Sequence, residues 1–534
     1  MEQDKERIRE RSSQDADDRR LLLKKGKRGV LRVIYGRTIL ILVTLALQIV
    51  LLAVVFNSLQ SMMPFYYASL LVIEAGMILH LVNKTSEPYT KITWIMLVAL
   101  APPVGLALYL FVELDIGHRV LNRRLGELLR QTEGFMPPRL RLPEGAAQAA
   151  KELPGLARYT WEHGRYPVYG NTDVRYLSSG EESLEAMLED LKAAKDFIFL
   201  EFFIIDEGYM WGRVLKVLEE KVRQGVEVRV MYDGTCALFR LPYRYPRMLE
   251  KLGVKCKMFS PIRPVISAHY NNRDHRKILV IDGRVAYTGG VNLADEYVNR
   301  VKRFGHWKDV SLRLEGDAVR SFTLMFLQMW NVDESDDDFS RFLDVSVGAR
   351  ETAGWVLPYG DSPLDNEQVG KLVYEDIINR AERYVHIMTP YLILDGDMMG
   401  ALTFAAKRGV DVRILLPHIP DKKYAFALAK TYYRELLRAG VRIFEYTPGF
   451  VHAKVFVSDD CKGVVGTINL DYRSLYLHFE CAAYLRDVPA VADIEADYQR
   501  TEALSQEIHL EDLKRVSPLV RATGWLLKVF APVM

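Results

Sequence analysis

Cysteine is scarce in this chain. Only Cys236, Cys256, Cys461 and Cys481 occur among 534 residues, with no CxxC pair and no Cys/His cluster at zinc spacing. That excludes a disulfide framework, a structural zinc site and dithiol redox chemistry; scattered cysteines of this kind pack as small hydrophobes. An excess of either charge is also missing, since 71 basic and 69 acidic side chains leave a formal net charge of +2. Without an overall positive field, no nucleic acid partner is expected. Hydrophobic residues make up 49% and charged ones 26%, so the chain is neither mainly disordered nor collagen-like.

These averages conceal long apolar runs near the N-terminus. Residues 1–37 are highly charged, and from Arg19 to Arg37 every charge is positive. Apolar runs at 39–56, 65–82 and 92–112 follow. A bilayer core takes about 20 apolar residues as helix. Residues 38–115 are therefore expected to form a transmembrane region of two or three helices behind a cytoplasmic tail at 1–37. Pro102, Pro103 and Gly105 interrupt the third run and offer an alternative, a re-entrant or interfacial hairpin. Arg119, Arg123, Arg124 and Arg130 follow that run, so the charge distribution leaves open which membrane face carries the rest. The expected location is the cell membrane, as a multi-pass protein. At the other end, apolar and basic residues at 516–534 suit either an anionic interface or a helix packed on the domain.

Beyond residue 160, short runs rich in Val, Ile and Phe alternate with helical patterns, which reads as an α/β sandwich. The pattern then repeats. Residues 225–230 (GVEVRV) return at 409–414 (GVDVRI), and Leu252-Gly253-Val254 returns as Ala439-Gly440-Val441. Same-order similarity implies two related α/β domains, expected at 161–345 and 346–500. A connector at 116–160 precedes them and a C-terminal helical segment at 501–534 follows. Two such halves can face each other and build one shared site.

Each half carries His-x-Lys-x-x-x-x-Asp: His275, Lys277 and Asp282 in the first, His452, Lys454 and Asp459 in the second. On an extended strand positions i and i+2 share a face, so each His stands beside a fixed cation. A given His has Lys at +2 and Asp at +7 by chance about four times in a thousand. Two occurrences at equivalent places in a repeat are not accidental. Asp282 and Asp459 belong to the motif, but five residues beyond Lys they are suited to orienting the turn. Each strand is followed by a small-residue turn with an asparagine, Asn292 or Asn469, whose amide can donate to a phosphate oxygen. An acidic residue comes next, Asp309 or Glu480; a carboxylate on one imidazole nitrogen fixes the tautomer.

The stretches Asn271-Asn272-Arg273-Asp274-His275-Arg276-Lys277 and Gly466-Thr467-Ile468-Asn469-Leu470-Asp471-Tyr472-Arg473-Ser474 resemble the HKD motifs of the phospholipase D superfamily, and in particular its bacterial cardiolipin synthases. The resemblance extends to the N-terminal pattern Trp94…Pro103-x-Gly105…Tyr109. Asp274 and His478 stand where that family commonly has Asn. The resemblance implies two phospholipase-D-like domains around one site, and a phosphatidyl group passing between two phosphatidylglycerols with release of glycerol. His275 would be the nucleophile, and His452 the general acid and then base. Lys277, Lys454, Asn292 and Asn469 would hold the phosphoryl oxygens. Asp282 and Asp459 complete the catalytic motifs, and Asp309 and Glu480 orient the histidines. No cofactor and no metal is expected. The alternatives are a hydrolytic phospholipase D and a transferase using another alcohol. Phosphatidylglycerol and cardiolipin in the membrane are the expected partners, and homo-oligomerisation is left open.

Overall fold

The protein was analysed as a computed structural model that describes residues 66–113, 116–136, 153–262, 271–334, 338–365 and 367–533, together with positions 46, 47, 50 and 54. The charged tail and most of the first apolar run lie outside the described residues.

Two mixed sheets dominate, and they have the same strand order. The first runs Thr172–Leu177, Ser311–Gly316, Val285–Gly289, Lys277–Ile281, Phe197–Phe202, Glu227–Asp233, Lys255–Phe259. The second runs Trp355–Asp361, His478–Arg486, Lys462–Gly466, Val455–Ser458, Tyr384–Met388, Asp411–Pro417, Arg442–Tyr446, and then adds Ser505–Ile508 at its edge. The repeat seen in sequence is therefore a repeat of topology. Central strands such as Lys277–Ile281 and Val455–Ser458 are buried along their whole length. This explains why they read as continuous apolar runs rather than as alternating ones.

One face of each sheet packs on its own helices. Gly180–Ala193 and Tyr209–Arg223 cover the first, and Val369–Asn379, Gly396–Lys407 and Lys423–Ala439 cover the second. The inner faces share one hydrophobic core. Phe199, Val280 and Leu312 of the first sheet meet Val455, Val465 and Ala483 of the second there, with Phe322 and Tyr498 from two further helices. Two short parallel pairings stitch the halves together. Arg273–Asp274 pairs with the start of His478–Arg486, and His306–Lys308 pairs with Gly449–Val451.

Within 501–534 the end of the helix Ala490–Glu502 is followed by the edge strand Ser505–Ile508, whose backbone completes the ladder on Arg442–Tyr446. The helix Pro518–Phe530 follows and packs on Lys423–Ala439. It leaves Leu519, Trp525 and Leu526 exposed.

Near the N-terminus, helices Tyr66–Asn83, Pro88–Leu100 and Pro102–Glu113 form a small cluster around Leu81, Val98 and Tyr109. The third apolar run is thus two helices, not one. The Pro102-Pro103 pair starts a new helix, and Gly105 lies so close to the Leu97 carbonyl that a Cβ would sit 2.4 Å from its oxygen. The fold-back brings the Tyr109 ring edge-on to Trp94, which gives the N-terminal sequence pattern its physical meaning. Among the described residues no helix is long and apolar enough to cross a membrane. Thr93 Oγ1 donates to the Val529 carbonyl at 2.7 Å, tying this cluster to the C-terminal helix.

Candidate active site

Both His-x-Lys pairs sit where a strand begins, at the seam between the halves. The His275 amide donates to the Phe479 carbonyl (2.9 Å), and the His452 amide donates to the Lys308 carbonyl (2.7 Å). Each acceptor immediately precedes a carboxylate, Glu480 or Asp309. The backbone pairing therefore delivers to each imidazole a carboxylate from the opposite half. His275 Nδ1 lies 2.9 Å from both oxygens of Glu480, and His452 Nδ1 lies 2.6 Å from Asp309 Oδ2. All four side chains are buried. With Nδ1–H donating to a carboxylate, Nε2 keeps its lone pair for chemistry.

The lysines flank the imidazoles. Lys277 Nζ donates to the His275 carbonyl at 2.5 Å; Lys454 Nζ donates to the His452 carbonyl and lies 2.9 Å from His452 Nδ1. Burial lowers all four pKa values, because a charged form is disfavoured away from water. Lys277 comes down to about 8 and Lys454 to about 7. Burial and the Lys454 charge bring His452 down to about 4, with Asp309 opposing. His275 is pushed well down by burial and then by Lys277 and Lys454. Against burial, His452 and Lys454 hold the Asp309 carboxyl below the usual range. The site is thus a pair of neutral imidazoles among basic side chains, an environment that suits an anion.

The turn after each strand differs between halves in a way that fits its carboxylate. At Gly290 a Cβ would lie 1.9 Å from Asp309 Oδ1, so glycine is what admits this carboxylate. The equivalent residue in the second half is Thr467, whose hydroxyl donates to Glu480.

Asn292 and Asn469 are buried beside the site, but their amides are already engaged. Asn292 Nδ2 donates to the Tyr297 hydroxyl (2.8 Å), and Asn469 Nδ2 donates to Ser474 Oγ (3.0 Å). Tyr297 and Ser474 both stand five residues after their asparagine, and each keeps a hydroxyl proton to give elsewhere. A hydroxyl residue at this spacing in both halves is the signal that the sequence offers for this pair. Rings wall the site: Phe203 is 4.9 Å from His275, and Tyr297 and Trp307 are 5.4 and 5.3 Å from His452.

Asp282 and Asp459 are not part of this centre. Both lie in the turn beyond the strand, with left-handed φ of 51° and 54°. Asp282 accepts from the amides of Lys195, Asp196 and Phe197 at 2.8–2.9 Å. Asp459 accepts from Glu382, Arg383 and Tyr384 at 2.9–3.1 Å. Their grouping with the catalytic residues is corrected accordingly. The motif's aspartate caps the neighbouring strand and touches no imidazole.

His478 lies beside His275, with ring centroids 5.5 Å apart, and its Nε2 accepts from Arg473 Nε at 3.2 Å. His275, His478 and Glu480 also bring ligand-type atoms within 4.8 Å of one another. Arg473 and the two lysines surround that group with a field that repels a cation.

Duplicated α/β halves that each deliver a His-x-Lys pair to one anion-binding centre define a phospholipase-D-like protein. A family model described as "Cardiolipin synthase, PLD-like domain" matches residues 187–303 and 374–501, and "Phospholipase_D-nuclease N-terminal" matches 75–113. The chain is 33% identical over 472 residues to a cardiolipin synthase of Alkalihalophilus pseudofirmus, covering 86% of this chain and 92% of that one. It is 49% identical over 459 residues to an uncharacterised protein of Streptococcus mutans, covering 86% of this chain and all of the other. Phosphatidylserine synthase of Haemophilus influenzae shares the fold, with a TM-score of 0.53 at 16% identity over 71% of this chain and 98% of that one. The chain belongs to the cardiolipin synthase family.

Proposed function

We propose that the protein transfers a phosphatidyl group from one phosphatidylglycerol to a hydroxyl of a second, forming cardiolipin and releasing glycerol. The observation that carries this reading is the pair of buried imidazoles, each held at Nδ1 by a carboxylate of the other half and flanked by a lysine. His275 Nε2 attacks phosphorus, and the bond from phosphorus to the glycerol oxygen breaks. His452 gives that oxygen its proton. The phosphatidyl-histidine is then attacked by a hydroxyl of the second lipid, whose proton returns to His452, and His275 is released. One phosphodiester replaces another, so no nucleotide is consumed.

Lys277 and Lys454 neutralise the phosphoryl oxygens, and the hydroxyls of Tyr297 and Ser474, oriented by Asn292 and Asn469, donate to them. A bound phosphodiester offsets the lysine charges, and so raises the proton affinity of His452 toward that of an effective acid.

The substrate resides in a bilayer, and membrane attachment through 38–115 by several passes fits the chain. Leu71, Val72, Leu79 and Leu100 are exposed on the N-terminal helices, as expected of a surface that meets lipid. The C-terminal helix adds exposed Leu519, Trp525 and Leu526 beside Arg521 and Lys528, the composition of an interfacial helix.

The test is product analysis. The full chain incubated with vesicles of phosphatidylglycerol should yield cardiolipin and glycerol in equal amounts. Phosphatidic acid with no cardiolipin would overturn the reading in favour of hydrolysis.

A further inference from the structure

Two cations near the site have no part in the chemistry described above. Arg473 opens the segment Arg473–Leu477, which is wound as a π-helix, a rare conformation frequent at functional sites. Its Nε is anchored on His478 Nε2 at 3.2 Å, and His478 in turn lies against His275. The anchor orients the guanidinium and leaves its two terminal nitrogens to other partners. Lys422 Nζ lies 4.7 Å above the Tyr391 ring, and its charge is felt at His275. It lines one cleft with Tyr391 and Phe450, and the Phe450 ring is 5.9 Å from that of His452. Among the described residues neither Arg473 nor Lys422 makes an ion pair with a carboxylate, but both charges act on the buried carboxyl of Asp471. Two cations set against this one buried carboxyl, beside a site that already holds two lysines, exceed what one phosphate monoanion requires.

From this geometry we infer that Arg473 and Lys422 form a second anion subsite, which binds the phosphodiester of the acceptor alcohol while the donor phosphate occupies the histidine–lysine centre. The inference rests on the transfer reaction proposed above. In that reaction the acceptor is itself a phosphodiester, and its attacking hydroxyl is separated from its phosphate by one glycerol unit. A guanidinium presents parallel donors to a phosphate, and an ammonium supplies a point charge. Together they would select an anionic alcohol over glycerol or water. His478 is a positioning residue: it accepts from Arg473 only while Nε2 is unprotonated. Burial, opposed by Glu480, brings its pKa down to about 3, so it accepts throughout the neutral range.

The experiment compares two isotopically labelled soluble acceptors offered to the full chain with unlabelled phosphatidylglycerol vesicles as donor: glycerol, which is neutral and is read as label entering phosphatidylglycerol, and glycerophosphoglycerol, which carries the phosphodiester without acyl chains. Wild-type protein should prefer the charged acceptor. In Arg473→Gln and in Lys422→Gln the ratio of charged to neutral transfer should fall about tenfold, the worth of one charge-assisted hydrogen bond of about 1.4 kcal/mol, through a raised KM for the charged acceptor. His478→Ala should lower the ratio similarly, and His478→Asn, which restores an acceptor oxygen, should recover part of it. An unchanged ratio in both cation variants overturns the subsite, whatever happens to total activity. Cardiolipin formation by the wild type is scored separately. A protein that makes only phosphatidic acid from lipid but still prefers the charged alcohol defeats the proposed synthase activity and keeps the subsite. Transfer to neither alcohol defeats both.

Discussion

His452 Nδ1 lies 2.6 Å from Oδ2 of Asp309, a residue 143 positions earlier and in the other half of the molecule. His275 and Glu480 repeat the relationship across 205 positions. Neither half therefore contains a finished histidine. The reciprocal pairing follows from the two short parallel ladders at the seam, which place each histidine amide on the carbonyl next to the partner carboxylate.

Asp309→Asn should damage the function of His452, and Glu480→Gln that of His275. An amide presents the wrong group to Nδ1–H and releases the tautomer. Each is expected to lower kcat by about 10²–10⁴-fold with folding retained. Pre-steady-state measurement separates them. Glu480→Gln should suppress formation of the lipid–enzyme adduct, while Asp309→Asn should slow both departure of glycerol and attack by the acceptor.

Gly290→Ala tests the fit of the Asp309 carboxylate. The new Cβ would lie 1.9 Å from Oδ1, so the carboxylate must move. Turnover is expected to fall by about 10²-fold through misplacement of His452, and overpacking should cost about 1–3 kcal/mol in denaturant unfolding.

Asp459→Ala should act on stability rather than chemistry. The carboxylate accepts three backbone amides, and losing it should cost about 2 kcal/mol in urea unfolding. Activity per folded molecule should stay close to wild type. Although partial burial opposes ionisation, the three amides hold the Asp459 carboxyl below the usual range. Its contribution is therefore full above the unfolded-state pKa and fades as pH falls through the lower folded-state value. The stability difference between wild type and variant should shrink in acid.

Burial lowers the pKa of Lys454 to about 7. Its cation is present below that pH and lost above it. On that basis kcat/KM should decline as pH rises beyond about 7. Bound phosphodiester raises the lysine pKa, so kcat should hold to higher pH. A Lys454→Arg variant, charged throughout, should move the basic limb of the kcat/KM profile up toward about 8, where Lys277 titrates, even where its turnover is lower.

Much of this was legible in the sequence because it is local. Alternation on a strand puts His and Lys together within three residues, and the repeat of GVEVRV as GVDVRI reports the repeated topology. Pro102, Pro103 and Gly105 carry the break in the third apolar run. The crossing of the carboxylates was not legible, since residues 143 or more positions apart meet through pairing between halves that no local pattern encodes. The role of Asp282 and Asp459 depends on which amides face them, a matter of how adjacent strands end. Tyr297 escaped notice because its counterpart is a serine: the halves keep a hydroxyl at the same spacing while changing the side chain that bears it. His478 stood out only as a departure from the family pattern, and its contact with Arg473 requires the π-turn between them.

The central claim is that one active site, assembled from both halves, carries the phosphatidyl group on His275. The most direct measurement is to quench the enzyme during turnover of phosphatidylglycerol and locate the adduct by peptide mass spectrometry. The account predicts one phosphatidyl group on the peptide containing His275, absent from His275→Ala, with that variant unable to form cardiolipin. Full transfer by His275→Ala, or an adduct confined to another residue during normal turnover, would contradict it.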